Sequence, residues 1–173
     1  QLSNQTFEII VITKAEHLDE NRQFISDIYN EVKELDDIWS EMIPSGDYVR
    51  VTFEKNLTNE NDITVYPRTV NGTPRIEIYE VNGSTLITEF STITSNEYNK
   101  VLLTNLVGEQ DTFDLRVLDG DIEIEHIVDP TAGPNASTFD TFLRPTSCTG
   151  NDLGIQANFP ISCDGTYPSA SCG

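Results

Sequence analysis

The sequence predicts a mainly β fold: a jelly-roll-like antiparallel β-sandwich of about eight strands, with one short amphipathic helix and an extended C-terminal tail. Three observations predict it. Short runs rich in β-branched and aromatic residues recur at intervals of roughly 8–12 residues. The turn dipeptides Asn71-Gly72, Asn82-Gly83 and Asp119-Gly120 fall between such runs. After Asp129-Pro130 the texture shifts to Pro, Gly, Ser, Thr and Asn, the composition of an extension. The organisation that follows is an N-terminal strand at residues 1–13, a β-sandwich at 14–130 and a cysteine-bearing extension at 131–173.

Thr6 to Thr13, TFEIIVIT, is apolar at nearly every position. Such a strand wants cover on both faces, either in mid-sheet or donated to a neighbouring molecule. From Leu18 to Ile43 the period changes. Leu18, Ile25, Val32 and Trp39 recur every seven residues, with Ile28, Leu35 and Met42 between them. That spacing predicts an amphipathic helix with Asp19 as N-cap, broken near Asp36-Asp37 and followed by a strand from Ile38 to Ile43. Strands are then expected at Tyr48 to Glu54, Asp62 to Arg68, Arg75 to Val81, Ser84 to Ser91 and Tyr98 to Leu106. Pro67 marks the second of these as a strand end or an edge.

The stretch from Thr112 to Asp129, TFDLRVLDGDIEIEHIVD, reads as a β-hairpin turning at Asp119-Gly120, a type I′ signal. Closing the loop there pairs Val117 with Ile122, Leu115 with Ile124 and Phe113 with His126. One face is then apolar, with His126 as a hydrogen-bonded core histidine. The other carries Asp114, Arg116, Glu123 and Glu125, with Asp114 opposite Glu125.

The formal net charge of −19 argues against a nucleic-acid partner, whose backbone demands Lys and Arg, and against an anionic membrane surface. No run of about 18 apolar residues is present, so no membrane insertion is expected. The chain opens at Gln1 without an initiator Met and reads as a mature or excised form. Sequons stand at Asn4, Asn56, Asn71, Asn82 and Asn135, more than chance usually supplies, and predict a secreted, N-glycosylated protein. Cys148, Cys163 and Cys172 allow one disulfide with one thiol over, the pairing open.

The segments TKAEHLDENR, DIWSEMIPSGDYVRVTFEKNLTNENDITVYPR and QDTFDLRVLDGDIEIEHIVDP resemble a β-sandwich module that recurs in large cell-surface proteins of archaea, especially small-genome lineages. The resemblance spans Ile12 to Pro130. It implies a surface-exposed, glycosylated structural module and transfers no catalytic residue.

Enzyme chemistry has no template in the sequence. There is no G-x-S-x-G, the two histidines offer few bases, and His17 has no evident partner. Carboxylate pairs are plentiful among 29 acids and arise by chance. Calcium is the sharper idea. Asp114 and Glu125, placed opposite each other, and the separate loop clusters of Asp119, Asp121 and Asp62 supply the hard oxygens that Ca²⁺ prefers. Trp39, Tyr48, Tyr66, Tyr79 and Tyr98 are candidates for a sugar-stacking platform. Two functions follow. The first is a non-enzymatic extracellular filament or coat subunit that self-assembles by donating its N-terminal strand or its tail. The alternative is a carbohydrate-binding module, calcium-dependent if the acidic cluster forms.

Overall fold

A computed structural model describes residues 9–130. Its elements are β1 (Ile10–Leu18), β2 (Phe24–Asp27), α1 (Tyr29–Val32), β3 (Tyr48–Leu57), β4 (Asp62–Glu80), β5 (Leu86–Phe90), β6 (Asn99–Leu102) and β7 (Gln110–Asp129). The fold is mainly β and antiparallel, as the alternating runs predict. Its seven strands form one sheet in the order β2-β1-β3-β7-β4-β5, with β6 on β4. β1 pairs with β3 along most of its length and with the far end of β7 through Ile10 and Val11. Three mutually paired strands require the sheet to curl.

Two long strands cause the curl. β4 and β7 run 19 and 20 residues and pair from Thr64 with Val128 to Glu80 with Phe113. The hairpin expected at Asp119-Gly120 therefore does not form, and the strands expected at Asp62 to Arg68 and Arg75 to Val81 are one. The turn dipeptides are spent on a paired bend. Gly72 lies opposite Gly120, with register shifts on both sides, and Asp119 and Gly72 hold φ of 62° and 70°. A Cβ on Gly72 would stand 2.5 Å from the Asp119 carbonyl oxygen, and one on Gly120 would stand 2.5 Å from that of Asn71. Only glycine at both positions lets the backbones meet this closely while one takes positive φ. Asn82-Gly83 does turn the chain, through the Gly83 N–H to the Glu80 carbonyl at 2.8 Å. Its connection is longer than a two-residue loop, since Tyr79 pairs with Leu86.

The bend folds the sheet so that Phe113, Leu115, Val117, Ile76 and Ile78 from one half share a core with Ile122, Ile124, Ile127, Ile63 and Val65 from the other. Val117 and Ile122 are fully buried. A second irregularity decides which way β7 points beyond it. Tyr66 pairs with His126 but Pro67 pairs with Ile124, so Glu125 is an extra residue on β7. Pro67, which has no N–H to give the ladder, sits at this bulge. The side-chain phase slips there. Ile127 turns into the core, and His126 leaves the apolar face to which strict alternation assigns it.

The long helix from Leu18 is also absent. Asp19 accepts the Asn21 and Gln23 backbone N–H groups at 2.8 and 2.9 Å, tightening a turn in which Arg22 holds φ of 59°. The chain then returns as β2 against β1, and only four residues of helix follow. Ile28 and Val32 reach the core, whereas Ile25, Leu35 and Met42 of the seven-residue pattern stay exposed. The 33–47 stretch is pinned to β7 instead, by Ser40 N–H to the Ile124 carbonyl and by reciprocal bonds between Ile43 and Ile122.

The N-terminal run corrects a further expectation. From Ile10 onward it is a strand of its own sheet, with Ile10 and Ile12 buried and Val11 exposed. It alternates instead of needing cover on both faces, and it finds its partners in β3 and β7 of the same chain. Residues 1–8, which include the first three of the run, and all of 131–173 lie outside the described residues.

Candidate functional site

The acids named for calcium do not converge. Asp114 and Glu125 lie on one strand, in different halves of the sheet, and are not opposed. Asp114 is fully buried and saturated. Its carboxylate accepts Arg50 through Nε at 2.6 Å and Nη2 at 2.9 Å, Arg22 Nε at 2.8 Å and the Asn82 backbone N–H at 2.9 Å. Glu125 accepts the Asp37 N–H. Asp119 accepts Arg75 Nε at 2.6 Å, and Asp121 accepts the Ser45 N–H and Asn71 Nδ2. Asp62 faces Lys100 Nζ at 3.2 Å, and burial pushes its carboxyl above the usual range. Among the described residues no group of three or more His, Cys, Asp or Glu gathers in a way that could hold a metal ion.

Around Asp114 these bonds form a lock. Arg22 also donates to the Gly83 carbonyl at 2.6 Å and Arg50 to Asn82 Oδ1 at 2.6 Å, so the β1–β2 turn, β3, the β4–β5 turn and β7 meet at one carboxylate. Arg22 lies 4.4 Å from the Tyr48 ring centroid, and Arg116 lies 5.5 Å from it. Tyr48 is therefore buried under cations. Tyr79 donates to Glu77 at 2.5 Å, and burial, with the Glu77 charge, pushes its phenol up to about 12. Neither ring belongs to a platform. His17, expected in a loop without a partner, sits buried on β1 between Glu41 at 2.7 Å and Asp47 at 3.0 Å. A hydrogen bond from Ser26, then His17, holds the Glu41 carboxyl below its usual range.

The other three aromatics do converge. Trp39 and Tyr66 have ring centroids 6.0 Å apart at 42°, Tyr66 and Tyr98 5.0 Å at 71°, and Tyr98 and His126 5.9 Å at 65°. They come from the 33–47 stretch, β4, the β5–β6 connection and β7. The bulge at Glu125 is what brings His126 into the row. Tyr98 is 41% exposed, and Trp39, Tyr66 and His126 are half-buried. Arg68 stacks on Trp39 with its guanidinium carbon 4.3 Å from the ring centroid and pairs with Glu123. Burial lowers the His126 imidazole below its usual value, against the pull of Glu125 and Glu34, which favours the neutral ring beside the Tyr98 hydroxyl 3.0 Å away. The row is an angled aromatic wall. Arg68 is paired within the chain, so what the wall offers a ligand is ring surface and the Tyr98 and His126 polar atoms, with Glu34 and Glu125 close enough to act on His126.

Arg68 and His126 were not singled out for this wall in the sequence. The Arg68 signal, a cation two residues from Tyr66 on one strand, is too common to read alone. Of the sequons, Asn56, Asn71 and Asn82 are exposed, but the Asn71 side chain is engaged with Asp121 on both its oxygen and its nitrogen. Asn4, Asn135, Cys148, Cys163 and Cys172 lie outside the described residues. No helix among the described residues is long and apolar enough to cross a membrane. No family model matches the chain, and no curated protein matches it.

Proposed function

We propose that this chain is a non-enzymatic extracellular surface module that binds a saccharide on the wall formed by Trp39, Tyr66, Tyr98 and His126. The convergence of these four rings from four separate segments carries the reading. Sugar rings present C–H faces to aromatic surfaces and hydroxyls to flanking polar groups, and here Tyr98 Oη and His126 supply the latter. The surface location rests on the sequons and on the resemblance to archaeal cell-surface modules. A glycan array, read with and without chelator, tests it. Binding by the folded chain that W39A or Y98A abolishes supports the site, and dependence on the chelator would bring calcium back. Silence under both conditions overturns it.

A second reading, self-association into a filament or coat, is favoured by one observation. β2 ends the sheet with Phe24 61% and Ile25 47% exposed, an apolar edge strand of the kind that pairs with another chain. Sedimentation across a wide concentration range tests it, and a monomer throughout ends it.

A further inference from the structure

The chain contains Asn-Gly at 71–72 and at 82–83, and the structure gives the two side-chain amides opposite fates. We propose that Asn82 is a site of self-catalysed deamidation, assisted by Arg50, while Asn71 is protected. The reaction needs three things: a backbone nitrogen free of side-chain crowding to attack the amide carbon, a polarised side-chain carbonyl, and room for the turn to rearrange.

At Asn82 the following residue is glycine, so no side chain crowds its nitrogen. Arg50 Nη2 donates to Asn82 Oδ1 at 2.6 Å, placing a guanidinium where negative charge develops on the carbonyl oxygen as it is attacked. Asn82 is exposed and holds φ of 56° in a turn outside the strand ladders, and among the described residues no acceptor takes its Nδ2. The step balances without a further reagent. The Gly83 nitrogen bonds to the Asn82 side-chain carbon and gives up its proton, the C–N bond to Nδ2 breaks, and ammonia leaves with that proton. Water then opens the cyclic imide at either carbonyl, giving aspartate or isoaspartate. Three bonds oppose it: the Gly83 N–H to the Glu80 carbonyl at 2.8 Å, which must break first, and the Asn82 N–H to Asp114 and Arg22 to the Gly83 carbonyl, which hold the turn from one side.

Asn71 is also followed by glycine, but it lacks the room to rearrange. Its Oδ1 accepts the Asp121 N–H at 3.3 Å, its Nδ2 donates to Asp121 at 2.5 Å, and its backbone lies in the continuous β4–β7 ladder beside the glycine crossing. Ring closure there requires the crossing to open.

Conversion at Asn82 has a structural consequence. Isoaspartate inserts a methylene into the backbone between the N–H that binds Asp114 and the Gly83 carbonyl that binds Arg22. The lock around Asp114 then loses its β4–β5 arm. A glycan on the same nitrogen would block the reaction.

The test incubates the unglycosylated full chain in mildly alkaline buffer, folded and in urea, and follows both sites by peptide mapping and isoaspartate detection. Asn82 is expected to convert at least as fast in the folded chain as in the unfolded one. Asn71 is expected to be slowed at least about tenfold by folding, the factor set by even a small opening free energy. Equal protection of the two sites in the folded chain overturns the proposal. So does conversion of Asn71 ahead of Asn82. Neither outcome bears on saccharide binding, which the array reads separately.

Discussion

One strand, β7, carries two clusters that look alike in composition and differ in what they leave undone. Near its start, Asp114 and Arg116 sit among Arg22, Arg50, Tyr48 and Tyr79. Near its end, Glu123 and His126 sit among Arg68, Trp39, Tyr66 and Tyr98. In the first, a fully buried carboxylate receives four hydrogen bonds and the rings lie under cations or spend their hydroxyls internally. In the second, the ions pair off with each other and the ring surface stays half open. The difference teaches where to look for function in a chain so acidic. The carboxylate at the centre of the first cluster is spent holding loops together, whereas the second leaves ring surface open.

The sharpest way to break that contrast is to attack the first cluster. D114A leaves two partly buried arginines facing each other without their carboxylate. It should cost about 3–5 kcal/mol in urea unfolding, the range for removing one partner of a buried ion pair. A loss below about 1 kcal/mol would show that the lock is ornamental. Next is the crossing. G120A drives a methyl group to 2.5 Å from the Asn71 carbonyl, and the strain of overpacking should cost about 1–3 kcal/mol. A chain as stable as the parent would mean the strands separate there without penalty.

The second cluster should respond in the opposite sense. W39A and Y98A should lower saccharide affinity at least about tenfold, because each removes a stacking face. Y98A, at an exposed ring, should shift stability by less than about 1 kcal/mol. If both variants lose stability yet, still folded, bind as the parent does, the wall is packing. The smallest effect is that of pH. The His126 pKa is lowered, so the unfolded chain takes up that proton more readily than the folded one. The stability it contributes is present above the ordinary imidazole value of 6.5 and is lost as pH falls below it. Glu41 is lowered from 4.5, and its contribution is likewise lost as pH falls, through a more acidic range. Melting temperatures measured between about pH 7.5 and pH 5.5 should fall slightly, and H126F should flatten that slope.

The strands were legible because alternation reports burial directly. Val117, Ile122, Ile124, Val49 and Val51 are buried as their positions require. What alternation does not report is continuity. A dipeptide that permits positive φ closes a hairpin or bends a strand equally well, and only the facing strand decides. Gly72 and Gly120 choose each other across 48 residues, which no local window contains. The bulge at Glu125 has the same character, set by a proline on another strand. The seven-residue recurrence from Leu18 misled for a related reason. Asp19 binds the backbone two and four residues ahead and stops a helix before propensity can act. The aromatic wall was half legible: Trp39, Tyr66 and Tyr98 were among five candidate rings, but nothing local separates them from Tyr48 and Tyr79.

The meeting of Ile10 with Asp129 and of Val11 with Val128 has a mechanical consequence. The polypeptide enters and leaves this sheet at the same corner. A stretching force applied through both flanks would peel the first strand away one residue pair at a time, beginning with those two, and the long β4–β7 ladder would never be loaded in shear. As a link in a chain under load the unit would yield early, and as a side branch hung from that corner it would carry no load at all.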